Sequence, residues 1–209
     1  MTARAPDGRP LIGEWIRLDI RASGDTEGLF EALDNERVWA RGYAGGPSAR
    51  PATPAALGVQ LDAAAYDARG FPRAQYVVRG LSSGRILGTS TLGDVDLVNE
   101  SGHIGWTAYT PSVWGTVVNP EAKLLLLGHA FDDCGLERVK LQTDANLNQH
   151  SQAAIRKLGA RFEGILRHDT KRPDGTWRDT AVFSILRDEW PEVLIGLQAR
   201  IRAISSARV

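Results

Sequence analysis

Residues 111–131 read PSVWGTVVNPEAKLLLLGHAF. Asn119-Pro120-Glu121 carries three helix-start signals in a row: a side-chain cap, a proline at the position where its missing N–H costs nothing, and an acid in the first turn. The apolar run behind them predicts a helix to about Asp133, closed by Gly135. Ahead of it, a short loop with Gly115 connects back to a strand. Free backbone N–H groups and the positive end of the helix dipole then meet at one spot, which favours a diphosphate. A strand–loop–helix with one glycine also serves as a mere connection in many α/β proteins, so this segment speaks for an α/β architecture before it speaks for a ligand.

Working outward toward the N-terminus, His103 to Tyr109 (HIGWTAY), Ile86 to Leu92 (ILGTSTL) and Gln75 to Arg79 (QYVVR) are predicted strands. Ser82-Ser83-Gly84 and the turn at Asn99–Gly102 link them closely enough to imply antiparallel pairing. A helix is predicted over 54–69, with Leu57, Leu61 and Ala64/Ala65 at helical spacing and Gly70 as its stop. Residues 42–54 form a loop, and Gly42 to Gly46 lacks the setting of a phosphate loop and is expected to flex over a substrate. A helix over about 25–35 buries Leu29, Phe30 and Leu33. Trp15 to Ile20 alternates apolar and polar residues and is the first predicted strand. Residues 1–10 read as a flexible lead-in.

Toward the C-terminus, Val139, Leu141 and Thr143 mark a strand, and Gln149 to Leu158 a helix stopped by Gly159. Ala160 to His168 and Trp177 to Leu186 are strands around the Pro173-Asp174-Gly175 turn. Trp190-Pro191 opens a last helix, with residues 196–209 as its end and tail. No repeat or linker divides the chain, so one domain over about 11–195 is the economical reading.

Composition narrows the function classes. Of 209 residues, 43% are hydrophobic and 24% charged, the balance of an ordinary globular chain. Lys plus Arg and Asp plus Glu each total 25, giving zero formal net charge, which speaks against nucleic acid as a primary ligand but leaves room for a local basic pocket. Cys134 is the one cysteine, so no internal disulfide and no thiolate metal site is expected. No HxxxH or HExxH pair points to a catalytic metal. Residues 1–10 carry no apolar leader, and the run Leu124 to Leu127 is too short to cross a bilayer. A cytoplasmic location with no membrane contact is the expectation.

The long motifs HIGWTAYTPSVWGTVVNPEAKLLLLGHAF (103–131) and ERVKLQTDANLNQHSQAAIRKLGARFEGILRHDTKRPDGTWRDTAVFSILRDEW (137–190) resemble the GNAT N-acetyltransferases of the RimJ/RimL-like branch. The resemblance covers about Gly13 to Trp190. It implies a mixed, mostly antiparallel twisted sheet of about seven strands flanked by helices, with the fourth and fifth strands splayed apart at a cofactor cleft. It also implies acetyl-CoA as cofactor, a primary amine as second substrate, and room for a homodimer. In such enzymes the loop before the third helix gives backbone N–H groups to the cofactor pyrophosphate; here that loop is Trp114, Gly115, Thr116, Val117, Val118 and Asn119. The family usually has glycine where this chain has Val117, a residue compatible with the loop if its φ is negative and only its N–H is used.

The resemblance further implies that the strand His103 to Tyr109, with Trp106 and Thr107 at its middle, offers backbone groups to pantetheine in the manner of an added strand. His103 stands where the family often has glutamate, and an imidazole with an unperturbed pKa near 6.5 suits a base near neutrality; an edge-strand histidine without a role is the other reading. Asn148 and Ser151 form an NxxS pattern in which the asparagine contacts the cofactor and the serine protonates the leaving thiolate. Asn146 competes with Asn148, because the spacing from Thr143-Asp144 is one residue longer than usual, and Ser151 also fits plain helix-start chemistry. Trp114 is the best candidate for a cleft wall. His129 reads as packed within its helix, His150 and His168 have no partner in sequence, and Cys134 lies too far along the helix to relay an acyl group. The implied reaction is direct attack of a neutral amine on the thioester. A protein N-terminus and a small amine fit equally well. A domain that binds acyl-CoA without turnover, as a sensor or interaction module, is the alternative.

Overall fold

The structure is a computed structural model that describes residues 2–66, 70, 71 and 73–207. Eight strands form one sheet in the order β1-β2-β3-β4-β5-β6-β8-β7. They are β1 Leu11–Ile12, β2 Ile16–Ile20, β3 Ala74–Gly80, β4 Ile86–Asp96, β5 Ser101–Tyr109, β6 Arg138–Asp144, β7 Arg161–Lys171 and β8 Trp177–Leu186. All neighbours are antiparallel except β5 and β6. The expected mixed, mostly antiparallel sheet is present. The strand beyond the expected seven is β1, whose two residues are too short to show alternation.

Helices cover both faces. On one face lie α1 Thr26–Leu33, α2 Glu36–Ala40 and α3 Pro54–Ala63; on the other lie α4 Val118–Gly128 and α6 Trp190–Ser206, with α5 Gln149–Arg156 beside β6. Strand β3 shows the division: Tyr76 and Val78 pack with Leu126, Phe131 and Leu197, while Val77 between them packs with Leu29, Leu57 and Leu61. This is the period-2 alternation of a strand buried on both sides.

Three boundaries differ from expectation for local reasons. Helix α2 was not expected; its five residues are too few for periodicity, and Asn35 starts it by accepting the Arg37 N–H at 3.0 Å. Helix α3 stops at Ala63 rather than running to 69, because Arg73 draws the chain back: its N–H goes to Ala65 O and its guanidinium to the carbonyls of Ala64 and Tyr66. The part of that expected helix over 67–69 lies outside the described residues. Helix α4 begins at Val118, so Asn119 sits inside the first turn and is not the cap; Thr116 Oγ1 accepts the Val118 N–H at 3.2 Å instead. At its far end α4 widens into a π turn, His129–Asp133, and Gly135 follows.

The middle of the sheet places the site. Strands β5 and β6 pair in parallel at only three positions, Ser101↔Arg138, Gly102↔Val139 and His103↔Lys140. Beyond them β5 runs on to Tyr109 and β6 to Asp144 with no pairing between them. On its other edge β5 shifts register against β4 between Thr89 and Thr91, and Trp106 takes φ +47° at that shift. This is a bulge, which bends the strand and re-aims its side chains. Gly88 opposite permits the close approach, since a Cβ there would sit 2.1 Å from Ala108 O.

Candidate active site

The loop after β5 is held from within. Trp114 Nε1–H donates to Tyr109 O at 2.9 Å, and the Thr116 hydroxyl donates to Val113 O at 2.8 Å. Gly115 has φ +74°, a conformation that favours glycine. Val117 has φ −67° and ψ −19°, ordinary right-handed backbone, so the valine sits there without strain. The N–H groups of Gly115, Val117 and Asn119 donate to no acceptor among the described residues. Three unpaired donors at the start of an eleven-residue helix are what a phosphate needs.

Two charged residues of α4 point into the protein, and neither role was legible beforehand. Glu121, 3% exposed, accepts the backbone N–H groups of Glu14, Trp15 and Ile16 at 2.6–3.2 Å. The start of α4 is thereby hooked to β2. Burial pushes the Glu121 carboxyl above its usual range, against the pull of those three bonds. Lys123, 6% exposed, donates to Thr107 Oγ1 at 2.8 Å and Ser90 Oγ at 3.3 Å. Burial alone lowers its pKa to about 7.

A titration follows from Lys123. Its folded pKa lies below the unfolded one, so between pH 7 and about 10.4 the unfolded chain holds more protons, and stability rises with pH across that window. The slope reaches at most about 1.4 kcal/mol per pH unit. Lys123→Met is expected to flatten the rise and to be the more stable protein at pH 7. Urea unfolding at pH 7, 8 and 9 checks it; parallel curves for the two proteins would refute it.

At the apex of the splay, His103 is 2% exposed. Its Nδ1 faces Asp94 Oδ2 at 3.4 Å, its ring lies 4.6 Å from the Trp106 ring, and its Nε2 has no partner. Arg73 closes the group from outside, paired with Asp94 and lying 4.0 Å over Trp106. Burial lowers the His103 pKa to about 4, against the favourable Asp94 bond and with Lys140 adding to the depression. The expectation of titration near neutrality is therefore corrected: desolvation keeps this imidazole neutral well below pH 6. Trp106 and Thr107 diverge across the bulge, Trp106 toward a cavity of about 50 Å³ that Tyr43, Leu57, Gln60 and Thr91 also line, and Thr107 toward Lys123.

The β6 arm ends in Asp144, 3% exposed. Its Oδ1 takes the N–H groups of Asn146 and Leu147 at 2.9 and 2.8 Å, and its Oδ2 takes Arg172 Nη2 at 2.5 Å. This turn leads into α5, where Asn148 Oδ1 caps the helix by accepting the Ser151 N–H at 2.9 Å. Asn146 is exposed, while Asn148 and Ser151 are half-buried. The Ser151 hydroxyl is bonded to nothing among the described residues. Across the mouth, Arg41 lies 3.6 Å over Trp114 of the β5 arm, and a Cβ on Gly42 would lie 3.6 Å from Asp144 Cβ of the β6 arm. Arg41 and Gly42 thus bridge the two arms. Among the described residues no group of three or more His, Cys, Asp or Glu side chains could hold a metal ion.

The chain matches the acetyltransferase (GNAT) domain family over residues 17–161. Its fold is similar to that of a GCN5-related N-acetyltransferase from Brucella melitensis, with 30% identity over 95% of this chain and 88% of that one, at a TM-score of 0.83. A probable GNAT-family acetyltransferase from Chromobacterium violaceum is 27% identical over 91% of this chain and 92% of that one, with a TM-score of 0.81. A ribosomal-protein-S5-alanine acetyltransferase from Vibrio fischeri, at 18% identity, shares the fold over 87% of this chain and 98% of its own with a TM-score of 0.66. Among curated proteins no sequence matches this chain.

Proposed function

The chain belongs to the GNAT acetyltransferase family and is an acetyltransferase enzyme, and from that premise we propose that it moves an acetyl group from acetyl-CoA directly to a primary amine. One observation carries the proposal: β5 and β6 part after three pairs, directly beside three unpaired N–H groups at the start of α4. The unpaired donors of Gly115, Val117 and Asn119, with Trp114, Thr116 and Val118 shaping the loop, fit a pyrophosphate. The open edge of β5 at Trp106 and Thr107 fits the amides of pantetheine. When bound, acetyl-CoA supplies the acetyl group as an activated thioester. The amine enters from the Trp106 face, and the free Ser151 hydroxyl donates to the departing sulfur. Asn148, occupied as a cap, acts by orienting Ser151. His103, neutral at pH 7, accepts a proton only through its open Nε2, so any acid limb it contributes to the rate falls near pH 4.

We place the protein in the RimJ/RimL-like branch, on the motif text of 103–190, as one domain over about 11–195. A protein N-terminus and a small amine remain equal acceptors. The single cysteine supports a cytoplasmic setting. The exposed Phe162, Ile165 and Leu166 of edge strand β7 support a homodimer.

Calorimetric titration and a thiol-release assay over a panel of amines test the reading. Acetyl-CoA at a hundred times its Kd is expected to stabilise the fold by about 2.7 kcal/mol, and at least one amine to release free thiol. Ser151→Ala is expected to lower kcat about a hundredfold with an unchanged cofactor Kd, because a leaving-group donor acts in the transition state. No heat and no thermal shift at millimolar acetyl-CoA would overturn the proposal. Binding without thiol release from any amine would favour a sensor.

A further inference from the structure

Arg37 and Arg41 stand four residues apart on and just after α2, hence on one side of it. Both lie over the same indole, Trp114, with guanidinium carbons 5.0 and 3.6 Å from the ring centroid. Trp114 cannot turn away, because its Nε1–H is bonded to Tyr109 O. Two like charges at this spacing repel, and neither arginine has an acidic partner among the described residues. The acids that could have served are engaged elsewhere: Asp34 with Arg50, and Asp144 with Arg172. Burial and the neighbouring Arg37 both lower the Arg41 pKa, so Arg41 sits in a place that is costly for a cation with no counter-charge.

The next residue after Trp114 is Gly115, the first of the three unpaired N–H donors. Two uncompensated guanidiniums and a row of unpaired amides thus flank one indole at the mouth of the splay. Guanidinium planes bind phosphate and carboxylate oxygens through paired donors. We infer that Arg37 and Arg41, held on Trp114, form an anion clamp that takes a phosphate or carboxylate group entering the cleft. Two sources share that chemistry: the 3′-phosphate of the cofactor, and an acidic group carried by the acceptor. The choice between them rests on the acetyltransferase reading; the clamp itself does not.

Wild type, Arg37→Gln/Arg41→Gln and the charge-retaining Arg37→Lys/Arg41→Lys are titrated calorimetrically with inorganic pyrophosphate, CoA and 3′-dephospho-CoA. The Gln pair is expected to weaken pyrophosphate binding about tenfold or more, with partial recovery in the Lys pair. If the cofactor phosphate is the ligand, wild type prefers CoA over 3′-dephospho-CoA about tenfold and the Gln pair loses that preference. If the acceptor is the source, the two cofactors bind alike, and the Gln pair raises KM about tenfold for a peptide beginning with acidic residues but not for a neutral one. Pyrophosphate, cofactor and peptide constants all equal to wild type in the Gln pair would overturn the clamp. CoA failing to bind wild type while pyrophosphate binds in an arginine-dependent way would overturn the acetyltransferase reading and leave the clamp standing.

Discussion

Glu121→Ala is expected to lower unfolding stability by roughly 2–4 kcal/mol, because a buried donor left without an acceptor costs about 1–3 kcal/mol and two part-buried donors lose theirs with it. The donors are the N–H groups of Glu14, Trp15 and Ile16, and the Ile16 bond is the buried one, where water has little room to replace the carboxylate. Glu121→Gln keeps one acceptor oxygen in place and is expected to lose less. Because the hook joins the start of α4 to β2, the proposed cofactor site at that helix start should weaken along with stability. Urea midpoints for the three proteins are the measurement. A midpoint for Glu121→Ala within error of wild type would show that the hook is dispensable.

Asp144→Asn is expected to cost about 3–5 kcal/mol, the usual loss when one partner of a buried ion pair is removed and the other stays. Arg172 would be left largely buried with its Nε already unpartnered, and the half-buried Arg178, also with an unpartnered Nε, would lose a compensating charge. The turn at Asn146 and Leu147 would lose its charged acceptor, and since it leads into α5, kcat should drop as well if Ser151 has its proposed role. The pH dependence has a definite sign. Burial raises the Asp144 pKa, but the Leu147 and Asn146 N–H bonds and Arg172 outweigh it, and the folded value lies below the ordinary one. Its contribution is present above the unfolded pKa of about 3.9 and is lost as pH falls through the folded value. Acid titration of stability should therefore be steeper for wild type than for Asp144→Asn below about pH 4; equal slopes would remove Asp144 from the account.

The sequence was most legible where structure is local. The Trp114–Phe131 segment announced its helix through Pro120, Glu121 and the apolar run behind them, and the strands announced themselves by alternation and by tight turns. Its cap was misread because Asn119 and Thr116 are both good caps, and only the backbone shows that Thr116 meets the first N–H. Short pieces, β1 and α2, fell below any periodic signal, although Asn35-Glu36 does carry a helix-start pattern. The site was legible as a stretch of chain but not as a set of partners. Glu121 read as a first-turn acid, yet its partners are 105 to 107 residues away. His103 read either as a base or as an edge-strand histidine without a role, and its burial against Asp94 and Trp106, closed off by Arg73, was visible in neither reading. Spacing cannot report burial supplied from far along the chain.

The division of the sheet after His103 and Lys140 also bears on how the protein keeps company with itself. A sheet normally has two rims, and rims invite strands from other chains. This one has four, because β5 and β6 each gain an inner rim where they separate. The inner rims carry backbone donors and acceptors that no neighbouring strand takes up, and Arg41 and Gly42 reach across their mouth. A narrow, amide-bearing molecule of the kind proposed above would fit such rims. On the proposed reading the small ligand would take the place of a missing strand between β5 and β6, and the outer rims at β1 and β7 stay the ones open to another chain.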